Sequence, residues 1–167
     1  MPQPELRPEH ITAVIDTREQ KPWALCPLQT RRGTLVTGDY SVLALEDEIA
    51  LERKSLGDLL NCIGGGRTRF EQCLERMHAY RTRAVIVECS FQEFEQGVWM
   101  AGGAVRSRVS PAAAMGSVLG WMASGIPFLF CPTVDMASKA AARFLFIAAR
   151  RRYKQLAGFH ASLKLSS

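Results

Sequence analysis

The sequence predicts an α/β sandwich: a mixed, mostly parallel central sheet with helices on both faces. Short β-branched, apolar runs alternate with stretches of helical period, and strands joined through helices need crossover connections. The 167 residues suffice for one well-packed domain and not for two generous ones. Hydrophobic residues make up 47% of the chain and charged ones 22%, a globular balance that sets the chain apart from disordered sequences.

Taken in order, the first ten residues read as a flexible segment and the domain as residues 11–157, with a tail over 158–167. Ile11 to Asp16 is a buried strand that stops at the polar turn Thr17-Arg18-Glu19-Gln20. Leu35 to Leu45 and Glu48 to Lys54 are strand-like, and the acidic turn Glu46-Asp47 between them predicts a hairpin. Leu56, Leu59, Leu60 and Ile63 fall at helical spacing before Gly64-Gly65-Gly66. Thr68 with Glu71 has the form of a capping box, and Phe70, Cys73, Leu74 and Met77 make the apolar stripe of the helix behind it. Ala84 to Glu88 is a further buried strand. Ser110-Pro111 opens a helix to about Ala123, Gly125 to Phe130 is the next strand, and an Ala-rich helix runs from about Thr133 to Leu156.

The net charge of +5 favours an anionic partner such as nucleic acid. Cys26, Cys62, Cys73, Cys89 and Cys131 are odd in number and lack metal-ligand spacing, so they read as buried thiols of a reducing compartment. His10, His78 and His160 have no companions at ligand spacing. No apolar stretch is long enough for a membrane span, and no signal segment opens the chain. The expected location is intracellular, cytoplasmic and nucleoid-associated if the source is bacterial or phage.

The chemistry gathers on the hairpin. A tight loop centred between Glu46 and Asp47 sets position 39 against position 54, and opposed residues share a face with residues two apart on one strand. Asp39, Glu52 and Lys54 then converge, with Asp16 arriving from a neighbouring strand end. A one-residue bulge would break this parity. Carboxylates with a lysine suit phosphodiester hydrolysis, because Mg²⁺ binds through few carboxylates, polarises the phosphate and acidifies a bound water. Lys54 can orient or deprotonate that water, or stabilise charge on the phosphate.

Val14-Ile15-Asp16-Thr17-Arg18-Glu19, then Gly38-Asp39-Tyr40, then Glu52-Arg53-Lys54-Ser55-Leu56-Gly57-Asp58 resemble the ordered V-D-x-R-E, G-D-Y and E-R-K-x-x-x-D motifs of the XPF family. These are structure-specific endonucleases within the PD-(D/E)xK restriction-like superfamily. The likeness continues through Gly66-Arg67, Gln72 and Glu88 and covers about Ile11 to Leu145. It implies a three-layer, restriction-endonuclease-like sandwich that cuts DNA at flaps, forks or junctions in repair or recombination. It further implies Mg²⁺, with Mn²⁺ able to substitute, at Asp16, Asp39 and Glu52, Lys54 as the catalytic lysine, and a homodimer. Arg18, Glu19, Arg53, Asp58 and Glu88 fall at supporting positions. The tandem helix-hairpin-helix module common among eukaryotic and archaeal members is missing from this sequence, which implies a minimal stand-alone nuclease or one that takes its DNA grip from a partner protein.

Other readings compete. A catalytically silent partner subunit that binds branched DNA, and a restriction-type or resolvase-like nuclease, share much of this pattern. Asp58 stands three residues after Ser55 and can serve as a helix cap or as a site residue. Arg67 and Arg69 beside the glycine run, and Arg106 and Arg108 beside Gly102-Gly103, are candidate DNA contacts or ordinary helix-end charges. Trp99 reads as core or lid, and Arg150-Arg151-Arg152 with Lys154 as charges favoured by a helix C-terminus. Ala137, Ala140, Ala141 and Ala148 with Phe144 and Leu145 can pack on the sheet or on a second subunit.

Overall fold

Six strands form one mixed sheet in the computed structural model, which describes residues 5–101 and 104–164. In chain order they are β1 (Thr12–Asp16), β2 (Gln29–Gly33), β3 (Tyr40–Val42), β4 (Ile49–Ser55), β5 (Thr82–Glu88) and β6 (Phe128–Cys131). In space the order is β2-β1-β3-β4-β5-β6; β3 is antiparallel to both of its neighbours, and the other pairs are parallel. The helices are α1 (Leu56–Ile63), α2 (Arg67–His78), α3 (Phe91–Gln96), α4 (Pro111–Ala123) and α5 (Val134–Lys164).

The sheet separates two hydrophobic cores, so the expected three-layer sandwich is present. Along β5, Ala84 and Ile86 join the core shared with α5, while Val85 and Val87 join the core shared with α1, α2, α3 and α4. The same two-residue period runs through β4: Ile49 and Leu51 face α5, and Ala50 faces α1 and α2. Continued toward the carboxyl end, that period sends Glu52 and Lys54 to the α1–α2 side and Arg53 to the other. The small-residue face of α5 packs on the sheet: Ala137, Ala141, Leu145 and Ala148 are buried there, with Ala140 and Phe144 half-buried beside them.

Several elements differ from expectation, each for a physical reason. The segment from Leu35 to Leu45 contributes only the three residues of β3, because Gly38 (φ 81°) and Ala44 (φ 67°) adopt left-handed conformations that end a strand on either side. β3 pairs Tyr40 with Leu51, which sets Asp39 beside Glu52 instead of Lys54. The displacement is by two residues, so the side chains keep the predicted face. β2 has no sequence signal at all: it is an edge strand without an apolar side chain, and its ladder to β1 is what makes it a strand. α3, absent from the sequence-based expectation, starts at a Ser90-Glu93 capping box whose S-x-x-E spacing stands in the sequence. Conversely, Thr68 and Glu71 form no box. α2 begins at Arg67 with Gly66 as N-cap, since the Gly66 amide is already tied to the Asn61 carbonyl at 2.9 Å.

Pro8–His10 forms a 3₁₀ turn, and Leu6 packs against the α5 core. α5 continues to Lys164, which places Arg150, Arg151 and Arg152 well inside the helix rather than in its last turn. Arg152 is tied to Glu48 at 2.7 Å. All five cysteines are free thiols; Cys89 and Cys131 are buried, Cys62 and Cys73 half-buried, and Cys26 is exposed, contrary to expectation. Among the described residues no helix is long and apolar enough to cross a membrane.

Candidate active site

A hollow of about 450 Å³ opens between the sheet and the α1–α2 hairpin, and Asp39, Glu52, Lys54, Asp58 and Arg69 line it. Its position follows from local structure. Gly38 lies so close to β4 that an added Cβ would stand 3.2 Å from the Leu51 carbonyl oxygen, so only glycine brings the chain in at this angle. Asp39 is thereby held against β4 at both ends: its amide donates to Leu51 O at 2.9 Å, and its Oδ2 accepts from the Arg53 amide at 2.8 Å. Glu52, 7% exposed, and Lys54 rise beside it from β4. The Lys54 ammonium lies 2.5 Å from Glu52 Oε1 and 5.1 Å from the Phe70 ring centroid.

The charges in this hollow are in tension. Burial, and then the negative charge of Glu52, push the Asp39 carboxyl up to about 7. Burial also works against the Lys54 charge, but the adjoining Glu52 carboxylate outweighs it and holds the ammonium above the ordinary lysine range. Lys54 therefore remains cationic and is better suited to balancing negative charge than to removing a proton. A divalent cation suits the two carboxylates. They supply hard oxygen ligands, and a cation between them offsets the repulsion that raises Asp39. Among the described residues no three Asp, Glu, His or Cys side chains gather as a metal cage. A pair is compatible with Mg²⁺, which binds through one or two carboxylates and retains several waters.

Asp16 departs from its expected place in a three-carboxylate set. It is only 1% exposed, and both its oxygens are engaged: Oδ1 accepts from the Arg18 Nε at 2.6 Å and the Arg18 amide at 2.9 Å, and Oδ2 accepts from the Leu35 amide at 2.8 Å. It does not line the hollow. Although its burial opposes ionisation, these hydrogen bonds hold its carboxyl below the usual range. Asp16 thus positions Arg18, whose guanidinium reaches the hollow's rim and feels the charges of Asp39 and Glu52.

Arg53 and Glu88 lie on the opposite face of the sheet, as strand alternation requires, and Glu19 meets Arg53 from the turn after β1. Arg53 bonds Glu88 at 2.9 Å and Glu19 at 3.4 Å, donates to the Lys21 carbonyl and stacks 5.2 Å from the Trp23 ring. Trp23 donates to Glu88 at 2.7 Å and lies parallel to Tyr40. This network clamps the β1–β2 connection onto the sheet, and only the backbone of Arg53 serves Asp39 directly. Asp58 stands in the first turn of α1: its amide donates to the N-cap Ser55 Oγ at 3.1 Å, its carboxylate accepts from the Ser55 hydroxyl at 2.6 Å, and it lines the hollow.

Of the arginines expected to meet DNA, only Arg69 borders the hollow. Arg67 is held on α4, 2.9 Å from Glu71, bonded to Ser117 and stacked on Trp121. Arg106 and Arg108 are exposed elsewhere, and Gly102-Gly103 lies outside the described residues. Trp99 is core, 2% exposed, with its indole N–H on the Val109 carbonyl. Arg76 borders the hollow and was missed, although its spacing of seven from Arg69 on one helix puts both on the same face. Thr37, Cys62 and Cys73 also line it; Cys73 lies 3.8 Å from Glu52 Oε2 and 3.5 Å from the Thr37 hydroxyl. No sequence signal points to those three.

A mixed sheet between two helical layers, with an Asp on one strand end facing E-x-K on the antiparallel neighbour, defines a restriction-endonuclease-like sandwich. Within that class, the ERCC4 domain model matches residues 15–143, and the chain belongs to the ERCC4 domain family. It is similar to XPF from Aeropyrum pernix, with a TM-score of 0.61 and 18% identity over 82% of this chain. It is likewise similar to XPF from Aeropyrum pernix in complex with DNA, with a TM-score of 0.60 and 22% identity over 87% of this chain. At those identities the shared property is the fold. The chain covers 61% and 66% of the two XPF chains, respectively. No curated protein sequence matches it.

Proposed function

We propose that this protein is a Mg²⁺-dependent DNA endonuclease, with Mn²⁺ able to substitute, acting on branched DNA such as flaps, forks or junctions in repair or recombination. The observation that carries this reading is the convergence of Asp39, Glu52 and Lys54 in one hollow bordered by Arg18, Arg69 and Arg76. Asp39 and Glu52 are the residues to hold the cation. When bound there, the metal supplies a polarising charge on the phosphate and a water more acidic than bulk. Lys54, cationic beside Glu52, stabilises the negative charge that grows on the phosphate. Asp58 borders the same space, and its carboxylate is kept in place by Ser55.

The arginines divide the remaining work. Arg69 and Arg76 stand two turns apart on α2, on one side of the hollow, and grip phosphates of the bound strand. Arg18, pinned by Asp16, meets a phosphate from the other side. The family likeness and the archaeal XPF in complex with DNA support a DNA substrate. Leu156, Phe159 and Leu163 leave an apolar face exposed on the outer turns of α5, which supports the homodimer as part of the same reading.

The test is nicking of flap, fork and four-way junction DNA with Mg²⁺ and with Mn²⁺, comparing wild type with Asp39→Asn, Glu52→Gln and Lys54→Ala. Cleavage by the wild type and loss of at least a hundredfold in each variant, with folding retained, is the expected result, in line with removal of a charge-stabilising group. A clean wild-type preparation that cuts none of these substrates with either metal would overturn it.

A further inference from the structure

The loop that leads into Asp39 carries a valine with no structural duty. Val36 is 80% exposed, yet the residues on both sides are buried: Leu35 is 3% and Thr37 4% exposed. The loop cannot turn Val36 inward, because it is fixed from several directions. The Leu35 amide is bonded to Asp16 Oδ2 at 2.8 Å, the Leu35 carbonyl accepts from Arg18 at 3.0 Å, and the Thr37 hydroxyl lies 3.5 Å from Cys73. Gly38 follows with φ 81°, packed against β4. A single exposed apolar side chain is ordinary on a protein surface. This one lines the same hollow as Asp39, Glu52 and Lys54, next to Arg18.

Val36 borders the space that a strand entering the hollow would occupy, on the loop that also accepts from Arg18 through the Leu35 carbonyl. Arg18 is suited to hold a phosphate there, and the adjoining isopropyl group presents no hydrogen-bonding atom to water or phosphate. Its natural counterpart in a nucleic acid is the apolar face of a base, which becomes available only where stacking is interrupted. β-Branching makes the side chain stiff, so a wedge of this kind loses little freedom when it inserts. The buried Asp16 carboxylate takes its place in this scheme as the anchor that holds both Arg18 and the loop.

We propose that Val36 is a strand-parting, specificity-determining residue that inserts beside the nucleotide at the cut position, so that the site takes a strand with a locally unstacked base. The proposal rests on the DNA-cutting reading above and deepens it. Two measurements keep their failures apart. A fork carrying 2-aminopurine at the branch nucleotide, bound at saturating protein in Ca²⁺, reads unstacking without cleavage; nicking of the same fork and of single-stranded DNA in Mn²⁺ reads the preference.

The wild type is expected to raise the fluorescence severalfold. Val36→Ser should lose most of that rise and lower the ratio of fork to single-strand nicking by about tenfold, the scale of one or two lost methyl contacts. Val36→Leu should restore both. An unchanged rise and an unchanged ratio in Val36→Ser would overturn the proposal, as would a wild type that cuts without any rise. A wild type that gives the rise but cuts nothing would overturn the nuclease reading and leave the strand-parting role standing. A wild type with neither would overturn both.

Discussion

Asp39→Asn should make the protein more stable in chelator while abolishing its response to Mg²⁺. In the folded chain the Asp39 carboxyl sits at about 7, lifted from 3.8 first by burial and then by Glu52. An unfolded chain ionises the same group near its ordinary value, so between about 4 and 7 the folded state retains a proton that the unfolded state has released. Stability is therefore lost as the pH rises through that window, and the full deficit is present above it. The distance from 3.8 to about 7 corresponds to roughly 4 kcal/mol. Asparagine keeps an acceptor for the Arg53 amide and removes the charge, so a gain of about 2–4 kcal/mol is expected at pH 8. For a domain of this size each kcal/mol moves Tm by roughly 2–4 °C, which predicts a rise of about 5–15 °C. Thermal melts in EDTA at pH 8 and at pH 4.5 read it directly: the gap should be large at pH 8 and nearly closed in acid. Adding Mg²⁺ at pH 8 should raise the wild-type Tm, because a ligand of the folded state alone is stabilising, and leave Asp39→Asn where it was. If Asp39→Asn melts at or below wild type in EDTA at pH 8, the account of the strained carboxylate pair is wrong.

Gly38→Ala should cost about 1–3 kcal/mol, because φ 81° disfavours any side chain and the new Cβ meets β4 backbone; denaturant melts measure the loss, and nicking should fall with it as Asp39 shifts. Arg69→Ala and Arg76→Ala should each lower the slope of log K against log salt for DNA binding by about one, the signature of a lost phosphate contact. Arg67→Ala, whose guanidinium is spent on Glu71, Ser117 and Trp121, should leave that slope unchanged and lower stability by about 1 kcal/mol. Ser90→Ala removes the α3 cap and should destabilise by roughly 1 kcal/mol in the same melts, with nicking at 25 °C unaffected.

The sequence by itself determined the fold class, the strands β1, β4 and β5, the amphipathic helices and the common face of Asp39, Glu52 and Lys54. Those features depend on periodicity and parity, which local side-chain order encodes; even a hairpin register displaced by two residues left the face unchanged. Tertiary structure alone decided which partners each carboxylate and arginine meets. Asp16 has the right type and position for a metal ligand, but a nearby guanidinium and the Leu35 amide consume its oxygens, and neither the Arg18 rotamer nor the path of the 34–38 loop follows from spacing. Arg67 and Arg69 are two residues apart and differ completely, because α4 supplies Trp121 and Ser117 to one and open space to the other. β2 was likewise decided from outside, by the unpaired edge of β1. Periodicity is a property of a segment; the hydrogen bond that commits a charged group to one task depends on which distant segment arrives beside it.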